Sequence, residues 1–275
     1  MPNSANLEAG KSPNEPRVEG RNVRKAFGAG NVVTAIDDVS FTVQPGEFVV
    51  LLGPSGCGKS TLLNMVAGLS SPSSGELFID NEPLTHKLVQ SKIGYVFQRD
   101  TVFPWRTVAD NIDYGLQLRG VPRNERRELV AKAISQVGLE GFADSFPNTL
   151  SGGMRQRVGL MRTLIVRPEI LLMDEPFAAL DMHSKLEMHR ILLEIWESMR
   201  QSVIFVTHDL GEALTLADRI LLFTARPGRI KECFEVTFPR PRDAVALRET
   251  PEWAEAFSHI WHSLGAEFRR TEQSG

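Results

Sequence analysis

Two rhythms of hydrophobic positions run along this chain. Wholly apolar runs stand at 48–52, 170–173, 203–206 and 220–223, with shorter strand candidates at 41–43, 77–80 and 93–97. Short apolar runs without polar alternation predict strands covered on both faces, as in a parallel sheet. From about 102 to 168 the rhythm changes. Val130, Ala133, Ile134 and Val137 recur at spacings of three and four, and no strand is predicted there. One helix, 60–67, interrupts the strand-rich stretch from 18 to 100, which the turn-forming runs SSPSSG and NEP punctuate. A closing helix is predicted in TPEWAEAFSHIWHSLGAEF, where Trp253, Phe257, Ile260, Trp261 and Leu264 share one face and are read as core packing. Residues 1–17, rich in Pro, Asn, Ser and Glu, carry no apolar periodicity and are expected to be a disordered tail. Together these elements predict an α/β fold, with the helical segment inserted between strands of one sheet.

The apolar run 48–52 leads straight into Gly53, Pro54, Ser55, Gly56, Cys57, Gly58, Lys59, Ser60 and Thr61, and then into a helix. In that context GxxxxGK[ST] is a phosphate loop. Its glycines allow a turn tight enough to aim backbone N–H groups at phosphate oxygens, and the helix N-terminus adds partial positive charge. Lys59 brings a point charge to the β- and γ-phosphates, and the Ser60 hydroxyl is a candidate ligand for Mg²⁺. A glycine-rich turn that merely joins strand to helix would need neither the lysine nor the serine.

A second apolar strand ends in ILLMDEP, placing Asp174 and Glu175 at the carboxyl edge of the sheet, where open α/β sheets hold ligands. Asp174 is expected to meet Mg²⁺ through water, and Glu175 to polarise the attacking water in γ-phosphate hydrolysis. The bland alternative is two carboxylates on a solvated loop. His208 follows a third apolar strand, so its imidazole should reach the same edge and hydrogen-bond the γ-phosphate. The other five histidines lack such a context and are read as surface or core residues.

Composition narrows the classes. With 275 residues, 42% of them hydrophobic, the chain can bury a sizeable core. Its formal net charge of -3 lacks a basic footprint, which argues against nucleic acid as a partner. No apolar run is long enough to span a bilayer, and the first residues have no signal-peptide pattern, so a cytoplasmic protein is expected. Two cysteines, Cys57 and Cys233, suit neither a disulfide framework nor a metal quartet and are read as free thiols.

LSGGMRQRV, residues 150–158, sets Ser151, Gly152 and Gly153 at the start of a helix, a second anion site by the same physics. The ordered set of phosphate loop, Gln98 after IGYVFQ, LSGGM, the strand ending in Asp174 and Glu175, AALD at 178–181, and His208 resembles the nucleotide-binding subunit of ABC transporters over about residues 18–240. The resemblance implies a P-loop NTPase cassette: a RecA-like core, an antiparallel β-subdomain, a helical subdomain at about 102–168, and a C-terminal helical extension at 241–275. It implies ATP and Mg²⁺, the metal held by Ser60, Gln98 and Asp174, with Glu175, His208, Lys59 and Gln98 serving hydrolysis. Phe27 matches the aromatic that stacks on adenine, and Asp181 matches the loop that crosses a dimer interface. Two copies would pair head to tail, each ATP lying between the phosphate loop of one and Ser151, Gly152 and Gly153 of the other. The signature departs from the common pattern at Met154, where Gln is usual; the phosphate contacts come from the serine and glycines, so activity should survive.

The same resemblance implies transmembrane permease subunits and a separate solute-binding protein, with this chain peripheral on the cytoplasmic face of the bacterial inner membrane. Gln98 would relay to the permease. Phe103 and Trp105, in the stretch DTVFPW, are either anchors for a permease helix or buried in the helical lobe. ARPGRI at 225–230 and IWHSL at 260–264 resemble importers of nitrate, sulfonates and taurine; cassettes for bicarbonate and thiamine precursors look similar. The rival classes are a soluble ABC-type ATPase without a membrane partner and a P-loop kinase, though a kinase would not need LSGGM. The large regulatory domain of sugar importers is not expected here.

Overall fold

The computed structural model describes residues 15–28, 32–99 and 101–273. Most of the N-terminal stretch read as a tail therefore lies outside the described residues. Arg17, at its end, is held by Asp80 at 2.8 Å and Glu169 at 2.6 Å.

Two sheets form. Strands β1 (Val18–Phe27), β2 (Val33–Val43), β4 (Ser74–Ile79) and β5 (Glu82–Pro83) make an antiparallel sheet in the order β2-β1-β4-β5. The larger sheet runs β10-β9-β3-β8-β7-β6, from β3 (Phe48–Leu52), β6 (Ile93–Val96), β7 (Ile170–Asp174), β8 (Ser202–Thr207), β9 (Arg219–Phe223) and β10 (Ile230–Glu235). Five of these strands are parallel, and β10 adds an antiparallel edge that the apolar pattern did not predict.

Each central strand feeds two cores by its period of two. Phe48, Val50 and Leu52 of β3 face one core, with Leu171, Met173, Val203 and Phe205. Val49 and Leu51 face the other, with Ile170, Leu172, Ile204 and Val206. The first core is closed by helices α3 (Val108–Leu118), α4 (Arg123–Gln136), α5 (Gly152–Leu164), α6 (Met182–Met199), α7 (Leu210–Leu216) and α8 (Pro251–Gln273). The second is closed by α1 (Lys59–Val66) and the antiparallel sheet. All five residues of β3 are fully buried, each contributing about 1.5–3 kcal/mol, so the loop that follows starts from a rigid base.

The chain departs from its sequence pattern at three further places. A second helix, α2 (His86–Lys92), lies in the stretch where one was expected; none of its residues is buried, so it has no apolar stripe to announce it. Its start is marked only by Thr85, whose hydroxyl accepts from Leu88 N–H at 3.3 Å. β2 is far longer than the run 41–43, and β1 lies where no strand was predicted, because strands of a sheet with one exposed face carry polar residues at alternate positions. On α8, Ile260 and Leu264 enter the core, but Trp261 stays half exposed, stacked at 6.0 Å on Phe257, which stacks in turn on Trp253 at 5.0 Å. Five aromatic and aliphatic positions make a stripe wider than the core accepts.

Among the described residues, no helix is long and apolar enough to cross a membrane.

Candidate functional site

Three neighbouring strands end on one row. Leu52 of β3 pairs with Thr207 of β8, and Val206 of β8 pairs with Asp174 of β7. The next residues, Gly53, His208 and Glu175, thus emerge side by side at the carboxyl edge of the sheet, where ligands of such sheets sit. Chain order alone, with more than a hundred residues between the first and the others, could not show this.

The phosphate loop is shaped by its glycines. Gly58 takes φ +108, and a Cβ there would stand 2.6 Å from the Ala35 carbonyl oxygen, so both conformation and space require glycine. Gly58 also caps α1 without any side chain on the helix's first N–H groups, leaving them to a ligand. Lys59 is 3% exposed, and its Nζ donates to the carbonyls of Gly53 at 2.7 Å and Pro54 at 2.8 Å. Its ammonium is therefore already inside the turn. Cys57 is buried, with Sγ 3.8 Å from Nζ, and burial pushes its thiol above the usual range; Cys233 is exposed, and both are free.

Ser60 and Asp174 meet directly: Oγ donates to Oδ1 at 2.7 Å. A hydroxyl and a carboxylate within one hydrogen bond, next to a phosphate cradle, form the hard oxygen donor set that suits Mg²⁺. Burial raises the Asp174 carboxyl above its ordinary value, partly opposed by the Ser60 hydrogen bond, and a bound cation would favour its charged form. Nearby, Tyr95 donates to Asn64 Oδ1 at 2.9 Å; burial, then the Asp174 charge, raise its phenol and keep it protonated.

Glu175 is set in place by backbone and side chain together. Its φ of +42 is a left-handed conformation that costs a non-glycine residue energy, held by its N–H donating to Val206 O at 3.0 Å. Oε2 lies 3.0 Å from His208 Nδ1. That hydrogen bond holds the Glu175 carboxyl below its ordinary value against the opposing effect of burial, and raises the imidazole of His208. Behind His208, Thr207 Oγ1 donates to buried Glu212 at 2.6 Å and accepts from Asp209 N–H at 3.0 Å, while Lys185 Nζ sits 3.4 Å from Glu212. The motif reading missed this polar support, whose visible signal was only a threonine closing an apolar strand.

Ser151 caps α5, accepting from Met154 N–H at 3.2 Å, and Asp181 caps α6, accepting from Ser184 N–H at 3.0 Å and its hydroxyl at 2.7 Å. The two helix N-termini are neighbours: a Cβ on Gly153 would lie 3.8 Å from Ser184 Oγ. Among the described residues, no hydrogen bond joins Ser151, Gly152 or Gly153 to the phosphate loop of the same chain. Gln98 does not bond to Ser60 or Asp174 either; it lines an open groove with Gly152, Arg155, Gln156 and Leu180. Gln156 Nε2 donates to the Pro176 carbonyl, linking the signature helix to the residue after Glu175, a contact the motif reading did not foresee.

Phe27 is 48% exposed, with Lys25 Nζ 5.1 Å from its ring centre; residues 29–31, which bear on its alignment, lie outside the described residues. The open choice at 103–105 divides. Phe103 is half-buried against Tyr114 at 4.9 Å, with the Arg162 guanidinium 4.8 Å from its ring centre, whereas Trp105 stacks on it at 5.6 Å and is 72% exposed. Asp100, at the start of that stretch, is outside the described residues.

Comparison with known proteins agrees with this geometry. The profile of the ABC transporter family matches residues 36–178. An uncharacterized ABC transporter ATP-binding protein of Methanocaldococcus jannaschii, MJ0412, is 49% identical over 218 residues, covering 79% of this chain and 81% of the relative. The taurine import ATP-binding protein TauB of Rhizobium johnstonii is 43% identical over 235 residues, 84% of this chain and 89% of its own length. Among solved structures, the dimeric post-hydrolysis state of the ATP-binding cassette MJ0796 bound to ADP and Pi superposes with a TM-score of 0.72 at 33% identity, covering 81% of this chain and all of that one. Phosphate loop, carboxylate pair and signature helix on this fold, together with these relatives, place the chain in the ABC transporter family as an ATP-hydrolysing, ATP-binding subunit.

Proposed function

We propose that this chain powers import of a small anion, with taurine, an aliphatic sulfonate or nitrate as the cargo class, from the cytoplasmic face of a bacterial inner membrane. The observation that carries the catalytic half is the row Gly53, His208 and Glu175, which sets a phosphate cradle beside an oriented carboxylate. Likeness to taurine import ATP-binding proteins supports the cargo class.

In this reading Lys59 and the loop amides bind the β- and γ-phosphates, and Phe27 stacks on adenine. Ser60 and Asp174 would hold Mg²⁺, which would neutralise phosphate charge when bound, and Gln98 would join them from its place in the groove beside Gly152. Glu175 orients the attacking water, and His208 holds the Glu175 carboxylate and reaches the γ-phosphate. Among the described residues Ser151, Gly152 and Gly153 make no hydrogen bond to the phosphate loop of their own chain; in this reading they serve a second copy paired head to tail, with Asp181 at the seam. The dimeric state of the similar cassette supports that pairing. Permease subunits would dock near exposed Trp105, and a separate solute-binding protein would select the cargo.

The test is a pull-down of the Glu175→Gln variant with Mg-ATP from solubilised native membranes, followed by taurine, sulfonate and nitrate uptake in a strain lacking the chain. A co-purifying multi-span permease and a lost uptake support the reading. Capture of no membrane protein would sink it in favour of a soluble ATPase.

Two smaller expectations belong here. The raised His208 pKa makes its share of the ion pair available below the ordinary histidine value, and lost as pH rises through the raised one. Glu175's share is present above the ordinary carboxyl value and lost as pH falls through its depressed one. The pair is thus intact between those limits. His208→Ala should move the Glu175 carboxyl upward and shift the acid limb of the ATPase profile to higher pH; an unmoved limb would mean that the pair does not set it. Met154 contributes its backbone N–H to the Ser151 cap, while its side chain packs on the core. Met154→Gln should therefore change turnover by no more than about twofold, as measured by phosphate release.

A further inference from the structure

The loop that cradles phosphate rests on a turn that belongs to the other end of the chain. Residues 223–229 leave β9 and run beneath it. A Cβ on Gly53 would meet Phe223 Cβ at 3.0 Å and its carbonyl oxygen at 3.1 Å, and a Cβ on Gly228 would stand 2.1 Å from the Cys57 carbonyl oxygen. Gly228 is also stitched to β2: its N–H donates to Ala35 O at 2.9 Å, and its carbonyl accepts from Asp37 N–H at 3.0 Å. Ala35 O is the same oxygen that lies against Gly58. Cys57, Gly58, Ala35 and Gly228 are thus packed backbone to backbone, with buried Ile36 Cδ1 against both glycines.

The turn itself is closed from within. Thr224 N–H donates to Arg229 O at 2.9 Å, Thr224 Oγ1 donates to Pro227 O at 2.9 Å, and Arg229 N–H donates to Thr224 Oγ1 at 3.0 Å. A closed turn moves as a unit, so the height of Gly228 under the loop is set by its β2 contacts, to which an Arg229–Asp37 ion pair adds, together with whatever holds the turn's outer end.

That holder is on α8. Glu267 is fully buried, and its Oε2 accepts from Ala225 N–H at 3.0 Å, while Oε1 lies 2.9 Å from Lys231 Nζ and 3.1 Å from an Arg270 guanidinium nitrogen. Lys231 in turn donates to Ser263 O at 2.9 Å, and Ser263 Oγ donates to Glu232 at 3.0 Å, so α8 is pinned to β10 beside the same turn. Burial would raise the Glu267 carboxyl, but Lys231 and the Ala225 N–H outweigh it and hold it below the ordinary value.

We propose that Glu267 is a positioning residue for the phosphate loop, and that the C-terminal helix, through the Ala225 hydrogen bond and the 224–229 turn, fixes the backbone on which ATP binds. In this role Glu267 needs no contact with the nucleotide: its effect passes through backbone contacts, where displacements of a fraction of an ångström reorient the loop amides.

Two conservative variants of the full chain separate this role from a merely stabilising one. Glu267→Gln keeps the reach and an acceptor oxygen for Ala225 N–H but loses the charge; Glu267→Asp keeps the charge beside Lys231 but is one methylene too short. The measurements are KM for ATP and kcat, affinity for a fluorescent ATP analogue, hydrogen exchange of the amides at 53–61 without nucleotide, and Tm. Glu267→Asp is expected to raise KM and the analogue's Kd by about tenfold, as the loss of a hydrogen bond to a charged acceptor does, with kcat within about twofold and faster exchange of the loop amides. Glu267→Gln should recover most of the affinity even if its Tm falls further. Wild-type KM and loop exchange in Glu267→Asp, or a Glu267→Gln variant impaired as much as it, would overturn the proposal, whatever the melting temperatures.

Discussion

Glu175→Gln is expected to bind ATP with nearly unchanged affinity and to hydrolyse it about 10²- to 10⁴-fold more slowly, the usual contribution of a general base. The substitution is nearly isosteric. The N–H bond to Val206 O, which holds the strained backbone at φ +42, is a main-chain contact and survives. An amide at the same place can still meet His208 Nδ1, which lies 3.0 Å from the carboxylate, but it cannot take a proton from water. Binding depends on the loop and Lys59, which the substitution leaves alone. Steady-state phosphate release, nucleotide titration and size-exclusion chromatography with Mg-ATP check the three consequences: slow turnover, retained binding and an accumulating dimer. Normal turnover would remove Glu175 from the role proposed for it.

Lys59→Ala should fail one step earlier. The ammonium is 3% exposed and already sits on the Gly53 and Pro54 carbonyls, so it is held where phosphate oxygens would arrive. Losing a charge-assisted contact costs about 1.5–3 kcal/mol, or roughly 10- to 150-fold in ATP affinity. Two carbonyls in a tight turn also lose their donor, so the loop itself should loosen. Arginine is no substitute, because its planar guanidinium cannot occupy a point-charge site walled by backbone. Calorimetric titration with ATP measures the loss. An unchanged Kd in a folded variant would mean that the loop amides alone bind phosphate.

The contrast between the two variants shows which part of the site is legible where. Lys59 could be read from spacing, because a phosphate loop is local: strand, turn and helix are contiguous, and their chemistry follows from residues 48–66. Glu175 and His208 were each readable as strand-end residues. That they stand 3.0 Å apart depends on β7 and β8 being neighbours in register, with Asp174 opposite Val206. Signals weakened where an element's burial was partial. α2 buries nothing, β10 is an edge, and the aromatic stripe of α8 enters the core at only some of its positions. Hydrophobic periodicity reports covered faces, so elements that cover little leave little trace.

By itself the sequence determined the elements with continuous apolar runs, the phosphate loop and the strand-end carboxylates, because each rests on residues within one short segment, and the resemblance, because it rests on the order of such segments along the chain. Tertiary structure alone decided four things: the row that sets Gly53, His208 and Glu175 together, the polar support of Thr207 and Glu212 behind the histidine, the place of Gln98 in the lining of the signature groove, and the turn that Glu267 holds beneath the phosphate loop. Thr207 and Glu212 stand five residues apart and meet across one strand-to-helix turn, but the other three depend on strand order, register and backbone approach. These are set by how two cores pack on one sheet, and pairings between residues tens to hundreds of positions apart leave no pattern in a single chain.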